Sequence, residues 1–373
     1  MKNINRGLTL FCAVLYSTWG YSLPLEKLTL PDGFKIEVYA EDVSNARQMA
    51  LGKTGIVYVG SRAEGKVHAV VDTDKDGTAD KVVVVAENLT MPSGIAYKNG
   101  DLYVAAVSEV LKFENIDEVY ANSPKGEVVI SGLPTETHHG WKYIDFGPDG
   151  WLYVPVGAPC NICQTEGDGK FDDPRFASIL KFDLASGEMK WVAKGVRNTV
   201  GFDWQPDSKE LWFSDNGRDW MGDDLPPCEI NRVSADDQHF GYPYIHAGDI
   251  NDPEFGAGKN PDDYTKPELK LGAHVAPLGV HFYQGGQFPA EYNKSLFVAE
   301  HGSWNRTEKS GYKVMRANFN GNEIGTYETF IEGFLNPDDT VWGRPVAFLV
   351  LPDGSMLISD DFANAIYKVT YQK

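Results

Sequence analysis

The stretch "GPDGWLYVPVG", residues 147–157, decides the fold. Pro148, Asp149 and Gly150 form a turn signal, and Leu152 to Val156 form an apolar run too short for an ordinary helix. The same unit, a polar turn followed by a short apolar strand, recurs five times. It reads "KTGIVYVGSR" at 53–62, "KNGDLYVAAV" at 98–107 and "QPDSKELWFSDNG" at 205–217. It reads "EYNKSLFVAEHG" at 291–302 and "LPDGSMLISDD" at 351–361. The spacing is about 45 to 60 residues, with one gap of about 85. A period of that length, holding several short strands per unit, predicts a propeller blade. Only "NIDEVYANS" (115–123) reads as a brief helical turn. The expected fold class is all-β, a six-bladed β-propeller.

The long gap needs an insertion, and "HAGDINDPEFGAGKNPDDYTKPELKLG" supplies it. It is rich in Gly, Pro and Asp and is expected to be a loop over about 245–272. Seven blades is the competing count, if that stretch hides one. "FKIEVYAEDV" (34–43) and "NAIYKVTYQ" (364–372) both read as strands. Pairing them in the last blade closes the ring and removes two exposed edges.

Hydrophobic residues make up 42% of the 373, and aromatics 12%, enough for a large core. The first 22 residues read as a secretory signal: Lys2 and Arg6, then the apolar "LTLFCAVLY", then Gly20 and Ser22. Residues 23–373 are expected to form one propeller domain, periplasmic or secreted, with no membrane span. The net charge of −19 repels nucleic-acid phosphates and anionic membranes. "CNIC" places Cys160 and Cys163 close enough for a local disulfide, leaving Cys228 free or as a competing partner.

Channel-mouth loops of a propeller build its ligand site. "DTDKDGTAD" puts carboxylates at Asp72, Asp74, Asp76 and Asp80 around Gly77, a spacing that suits calcium in a hairpin loop; the plainer reading is an acidic solvated turn. Arg197 and Asn198 precede repeat four, and Arg344 precedes repeat six. His301, Trp304 and Arg306 follow repeat five. Arginines, histidines and a Trp around one mouth suit an anionic, planar, aromatic ligand. Each also has a plainer role: Arg197 as a cap on loop carbonyls, Trp304 as packing. Backbone carbonyls near Gly217 could meet a cation. His138 and His139 stand before repeat three, and neutral imidazole is a suitable base near neutral pH.

"THHGWKYIDFGPDGWLYVPVG", "GVRNTVGFDWQPDSKELWFSDNGRD", "EINRV", "HFGYPY" and "WGRPVAFLVLPDGSMLISDD" occur in that order. Over roughly residues 30 to 373 the chain resembles the glucose/sorbosone dehydrogenase family, propeller enzymes that use pyrroloquinoline quinone (PQQ). "GAPCNIC" and "AEHGSWNR" look closest to its L-sorbosone dehydrogenase-like branch. The resemblance implies PQQ and calcium at the channel mouth, a sugar substrate and an external electron acceptor. It implies His139 as the general base, Arg197 and Asn198 at the quinone oxygens, and Arg344 at the PQQ carboxylates. It implies the backbone carbonyls of Gly217 and Arg218 at the active-site calcium. The chain departs from the glucose enzymes where His301-Gly302-Ser303 replaces a Lys. It has one Arg, not two, in "GRPVAF", His138 where an acid precedes the base, and Pro159 at a Gln position. The alternative functions are a calcium-dependent lactonase-type hydrolase, which needs carboxylates around a central metal, and a non-catalytic binding propeller.

Overall fold

The computed structural model describes residues 23–167, 170–235, 237–321 and 323–372; the signal-peptide reading of residues 1–22 lies outside them. Six four-stranded antiparallel sheets follow one another along the chain. Each repeat recognised in the sequence is the second strand of one blade. These strands are Val57–Ser61, Asp101–Ala105, Leu152–Val156, Leu211–Asp215, Leu296–Glu300 and Met356–Asp360. They are buried almost throughout, because neighbouring blades cover both faces of each sheet. The fourth strands, such as Lys81–Ala86 and Met189–Lys194, run along the rim and are mostly half-buried or exposed.

The first strand of each blade lies innermost. Ala46–Leu51 touches both Gly94–Lys98 and Pro345–Val350, and Phe202–Trp204 touches Pro277–Phe282. Polar side chains bind these strands across blade boundaries. Gln48 accepts from the amides of Ile95 (2.9 Å) and Ile144 (3.0 Å) and donates to the Ile144 carbonyl (2.7 Å), joining three blades. A buried amide with these three bonds fixes register without a bare polar atom.

The ring closes as the termini suggested. Phe34–Ala40 pairs antiparallel with Ala365–Tyr371, from Phe34↔Tyr371 to Ala40↔Ile366. The helical turn falls at Ile116–Val119.

The insertion differs from expectation. It is not loop throughout: Leu269–Ala273 is the outer strand of the fourth blade, paired with Pro227–Val233. Leu269 and Leu271 alternate with polar residues, but Pro267 just ahead makes the stretch look like more loop. The remainder holds a short ladder, Ile245–His246 with Ile250–Asn251, and no seventh blade among the described residues.

Candidate active site

A cavity of about 370 Å³ opens where the innermost strands begin. It brings together His139, Arg197, Asn198, Gly217, His301, Trp304 and Arg344 from loops scattered over the sequence. Arg218, Arg306 and the Asp72–Asp80 hairpin do not line it. The Arg218 guanidinium is buried against Asp252 and Glu254 of the insertion. Arg306 turns to the Asp223 carbonyl (2.9 Å) and the Asp224 carboxylate. In the hairpin, carboxylates of Asp72, Asp74 and Asp80 approach within 4.8 Å of one another, and Asp76 is outside that group.

The repeat explains how the arginines are set. The second strands of blades four and six both end in Ser-Asp. Asp215 accepts from the amides of Arg197 (2.8 Å) and Asn198 (2.6 Å), and Asp360 accepts from the amide of Arg344 (2.8 Å). Each buried carboxylate thus fixes the residue that enters the inner strand of its own blade, with its side chain at the mouth.

His139 is buried, while His138 beside it is exposed; their rings meet at 4.1 Å, and both line the cavity. His139 Nδ1 lies 2.9 Å from the Ala158 carbonyl oxygen. That oxygen can only accept, so the proton sits on Nδ1 and the lone pair on Nε2. Burial, with Arg197 and His138 alongside, holds the imidazole pKa well below the ordinary histidine value. Its backbone is left-handed, φ 51°, a strained conformation of the kind found at functional sites. Gly157 permits that geometry, since a Cβ there would stand 2.6 Å from the His139 Cβ.

The opposite wall is cationic. Asp361, fully buried, meets Arg47 Nη1 at 3.0 Å, Arg344 Nε at 3.3 Å and Arg62 Nε at 3.8 Å. His301 Nε2 stands 2.8 Å from the same carboxylate. Burial lowers the His301 pKa, and the Asp361 carboxylate beside it opposes that shift. Burial opposes ionisation of Asp361, but His301, Arg47 and Arg344 outweigh it and hold its pKa far below the carboxylate range. One carboxylate faces three guanidiniums, leaving an excess of positive charge. Arg47 and Arg62 also sit over the Trp141 ring, at 5.9 and 5.4 Å.

Arg197 is both the cap and the lining residue. Its guanidinium donates to the Asn161 carbonyl (2.9 Å), Asn161 Oδ1 (2.8 Å), the Asn216 carbonyl (3.0 Å) and Asp219 (3.3 Å). Two buried polar atoms of cavity-lining residues have no partner among the described residues, Asn198 Oδ1 and Trp141 Nε1, while Arg344 Nε has the Asp361 ion pair but no well-directed hydrogen bond. At the rim Trp304 and Trp220 are 70% and 68% exposed and meet edge to face at 5.5 Å.

A family model described as a domain of unknown function, DUF7133, matches residues 22–370. The chain belongs to this family. The DUF7133 chain is 36% identical over 362 residues to an uncharacterized protein of Borreliella burgdorferi, covering 93% of this chain and 91% of that one. It is 22% identical to a pyrroloquinoline quinone-dependent pyranose dehydrogenase of Coprinopsis cinerea over 79% of its length, spanning 45% of the length of that relative. A solved Trichoderma reesei structure of carbohydrate-active enzyme family AA12 superposes with a TM-score of 0.79 at 18% identity, covering 92% of this chain and 98% of that one. At that identity the likeness shows the fold, and it agrees with the six blades of this DUF7133 domain.

Several lining or supporting residues were not singled out in the sequence: Arg47, Arg62, Trp141, Asn161, Asp219, His274 and Asp361. Arg62 ends the first repeat and Asp361 ends the sixth, so the repeat itself carried a signal for both. Arg47 opens an inner strand with no motif around it.

Proposed function

We propose that this protein is a PQQ- and calcium-dependent dehydrogenase that oxidises an aldose or a sugar aldehyde, acting in the periplasm or outside the cell. The observation that carries the reading is one cavity holding both a buried neutral base, His139, and a wall with excess positive charge. The fold shared with the AA12 enzyme and the similarity to a PQQ-dependent pyranose dehydrogenase support it.

The residues present fit such a cofactor. A buried polar atom left bare costs about 1–3 kcal/mol. Asn198 Oδ1 and Trp141 Nε1 are bare in the protein alone, so they are suited to partners on a bound ligand. Arg344, Arg47 and Arg62 would hold a planar polycarboxylate, and Arg197 and Asn198 its quinone edge. PQQ, when bound, supplies the acceptor for the substrate's hydride. Calcium, when bound, would withdraw electron density from a quinone carbonyl; the Gly217 backbone on that wall is an oxygen donor that could help hold it.

The chain's own residues do the rest. His139 Nε2 takes the proton of the substrate hydroxyl, and the Nδ1 bond keeps the ring from turning away. The new imidazolium forms beside Arg197, whose pairing with Asp219 limits the repulsion. Trp304 and Trp220 offer a flat apolar face to a sugar at the mouth. Electrons leave to an external acceptor. A lactonase needs several carboxylates around a central metal; here Asp219 is the one acid on the cavity wall, and Arg197 already claims it.

Reconstitution of purified apoprotein with PQQ and calcium, followed by dye reduction with aldoses, tests the proposal. Failure of the oxidised, folded protein to bind PQQ removes it.

A further inference from the structure

Cys160 and Cys163 form a disulfide, and between them stands Asn161. Asn161 makes more contacts to the site wall than any role in its own loop requires. Its carbonyl accepts from Arg197 Nε (2.9 Å) and its Oδ1 from Arg197 Nη2 (2.8 Å). The same Oδ1 accepts from the Asp219 amide (2.8 Å), and its Nδ2 donates to the Asp219 carbonyl (3.0 Å). One residue therefore holds Arg197 by two acceptors and clasps the backbone of the neighbouring loop. Both Arg197 and Asp219 line the cavity.

The disulfide's span makes its purpose local. A bridge across three positions restricts little of the unfolded chain, so global stabilisation is a poor reason for it. What it does restrict is the backbone on both sides of Asn161. The strap has one further anchor, Tyr242, whose hydroxyl accepts from the Cys163 amide (3.1 Å) and lies 3.5 Å from Cys160 Sγ. Cys160 is half-buried, so a small thiolate can reach the bridge.

We propose that Asn161 is a positioning residue for Arg197 and that the Cys160–Cys163 disulfide is a redox-sensitive brace for it. Reduction by a dithiol adds two electrons and two protons, cleaves the S–S bond to two thiols and oxidises the dithiol to its own disulfide. The strap then relaxes, Asn161 loses its hold, and Arg197 and the Asp219 loop loosen. The cofactor consequence rests on the PQQ reading; the loosening does not.

Two arms test it. Hydrogen exchange by mass spectrometry, before and after dithiothreitol, follows the segment holding Arg197 and the segment holding the Asp219 amide. Thiol titration confirms two new thiols. Faster exchange confined to these segments, with the melting temperature little changed, is expected; unchanged exchange overturns the brace even if PQQ never binds. In the second arm, PQQ titration of Asn161→Ala is expected to show affinity weakened by about tenfold. Asn161→Asp keeps both acceptors for Arg197 and is expected to restore most of it. Reduced wild type and Cys160→Ser/Cys163→Ser are expected to match each other, with the double variant indifferent to dithiothreitol. Equal PQQ affinity in Asn161→Ala and wild type overturns the positioning role.

Discussion

His139 Nδ1 donates its proton to the Ala158 carbonyl oxygen at 2.9 Å, which leaves Nε2 as the lone-pair nitrogen of a buried ring. Ala158 in turn donates its amide to the Arg197 carbonyl at 2.8 Å. One residue thus sets the spacing between the proposed base and the arginine beside it. His139→Ala is expected to lower kcat by about 10²–10⁴, the usual worth of a positioned base, with PQQ affinity little changed. Steady-state turnover with a PQQ titration checks this. A variant with full turnover would mean that His138 or His274 is the base.

The pH profile follows from the same ring. The active form is neutral imidazole, and burial depresses the pKa below its ordinary 6.5. Lowering the pKa extends the neutral form to lower pH, so the acid limb of kcat/KM is expected below pH 6.5. An acid limb above that value, absent in His139→Gln, would contradict the environment described for His139.

Asp361 holds the cationic wall together. Asp361→Asn leaves Arg47, which is 3% exposed, without a counter-charge. Removing one partner of such a pair costs about 3–5 kcal/mol, measurable by denaturant unfolding. Arg62 stands farther off, at 3.8 Å, and is more exposed, so Arg62→Ala is expected to cost little stability. It should still weaken PQQ binding if the excess charge serves the ligand.

Stability should change with pH on both sides. Asp361 has a depressed pKa, so its contribution is present above the ordinary carboxylate value and is lost on acidification. Asp145 and Asp360 are pushed up to about 7 by burial. Their contribution is present below the ordinary value and is lost as pH rises through about 7. Melting temperature is expected to peak in the weakly acid range, and Asp145→Asn should flatten the fall on the alkaline side. A melting temperature that climbs through neutral pH would contradict this.

At the hairpin, we propose that calcium binds Asp72, Asp74 and Asp80 and steadies the edge of the first blade. Asp74→Ala should remove any rise in melting temperature that calcium gives, and Asp76→Ala, outside the carboxylate group, should matter less. Equal melting with and without calcium in the wild type sinks the idea.

The architecture was legible because the second strand of every blade is buried on both faces and must be apolar, while the turn ahead of it must be polar. That contrast repeats six times and survives divergence elsewhere. The closing strands were legible for the same reason. Leu269–Ala273 was not, because one outer strand after a long polar insertion needs only one buried leucine, Leu271, and one half-buried, Leu269. At the site, residues beside repeats were found, including His139, Arg197 and Arg344. Arg306 carries the same local signal, yet the Asp223 carbonyl claims it from a neighbouring loop. Such partners are set by the ring, and nothing local in the sequence announces them. Arg47 and Asp361, 314 positions apart, are the converse case: a decisive pair with no shared motif.

The most direct measurement is a titration of oxidised, metal-supplied apoprotein with PQQ, followed by absorbance and by intrinsic tryptophan fluorescence. The account predicts saturable one-to-one binding, weakened in Arg344→Ala and Arg47→Ala and retained in His139→Ala. A folded wild type that shows no saturable binding, or binding indifferent to both arginines, would contradict it.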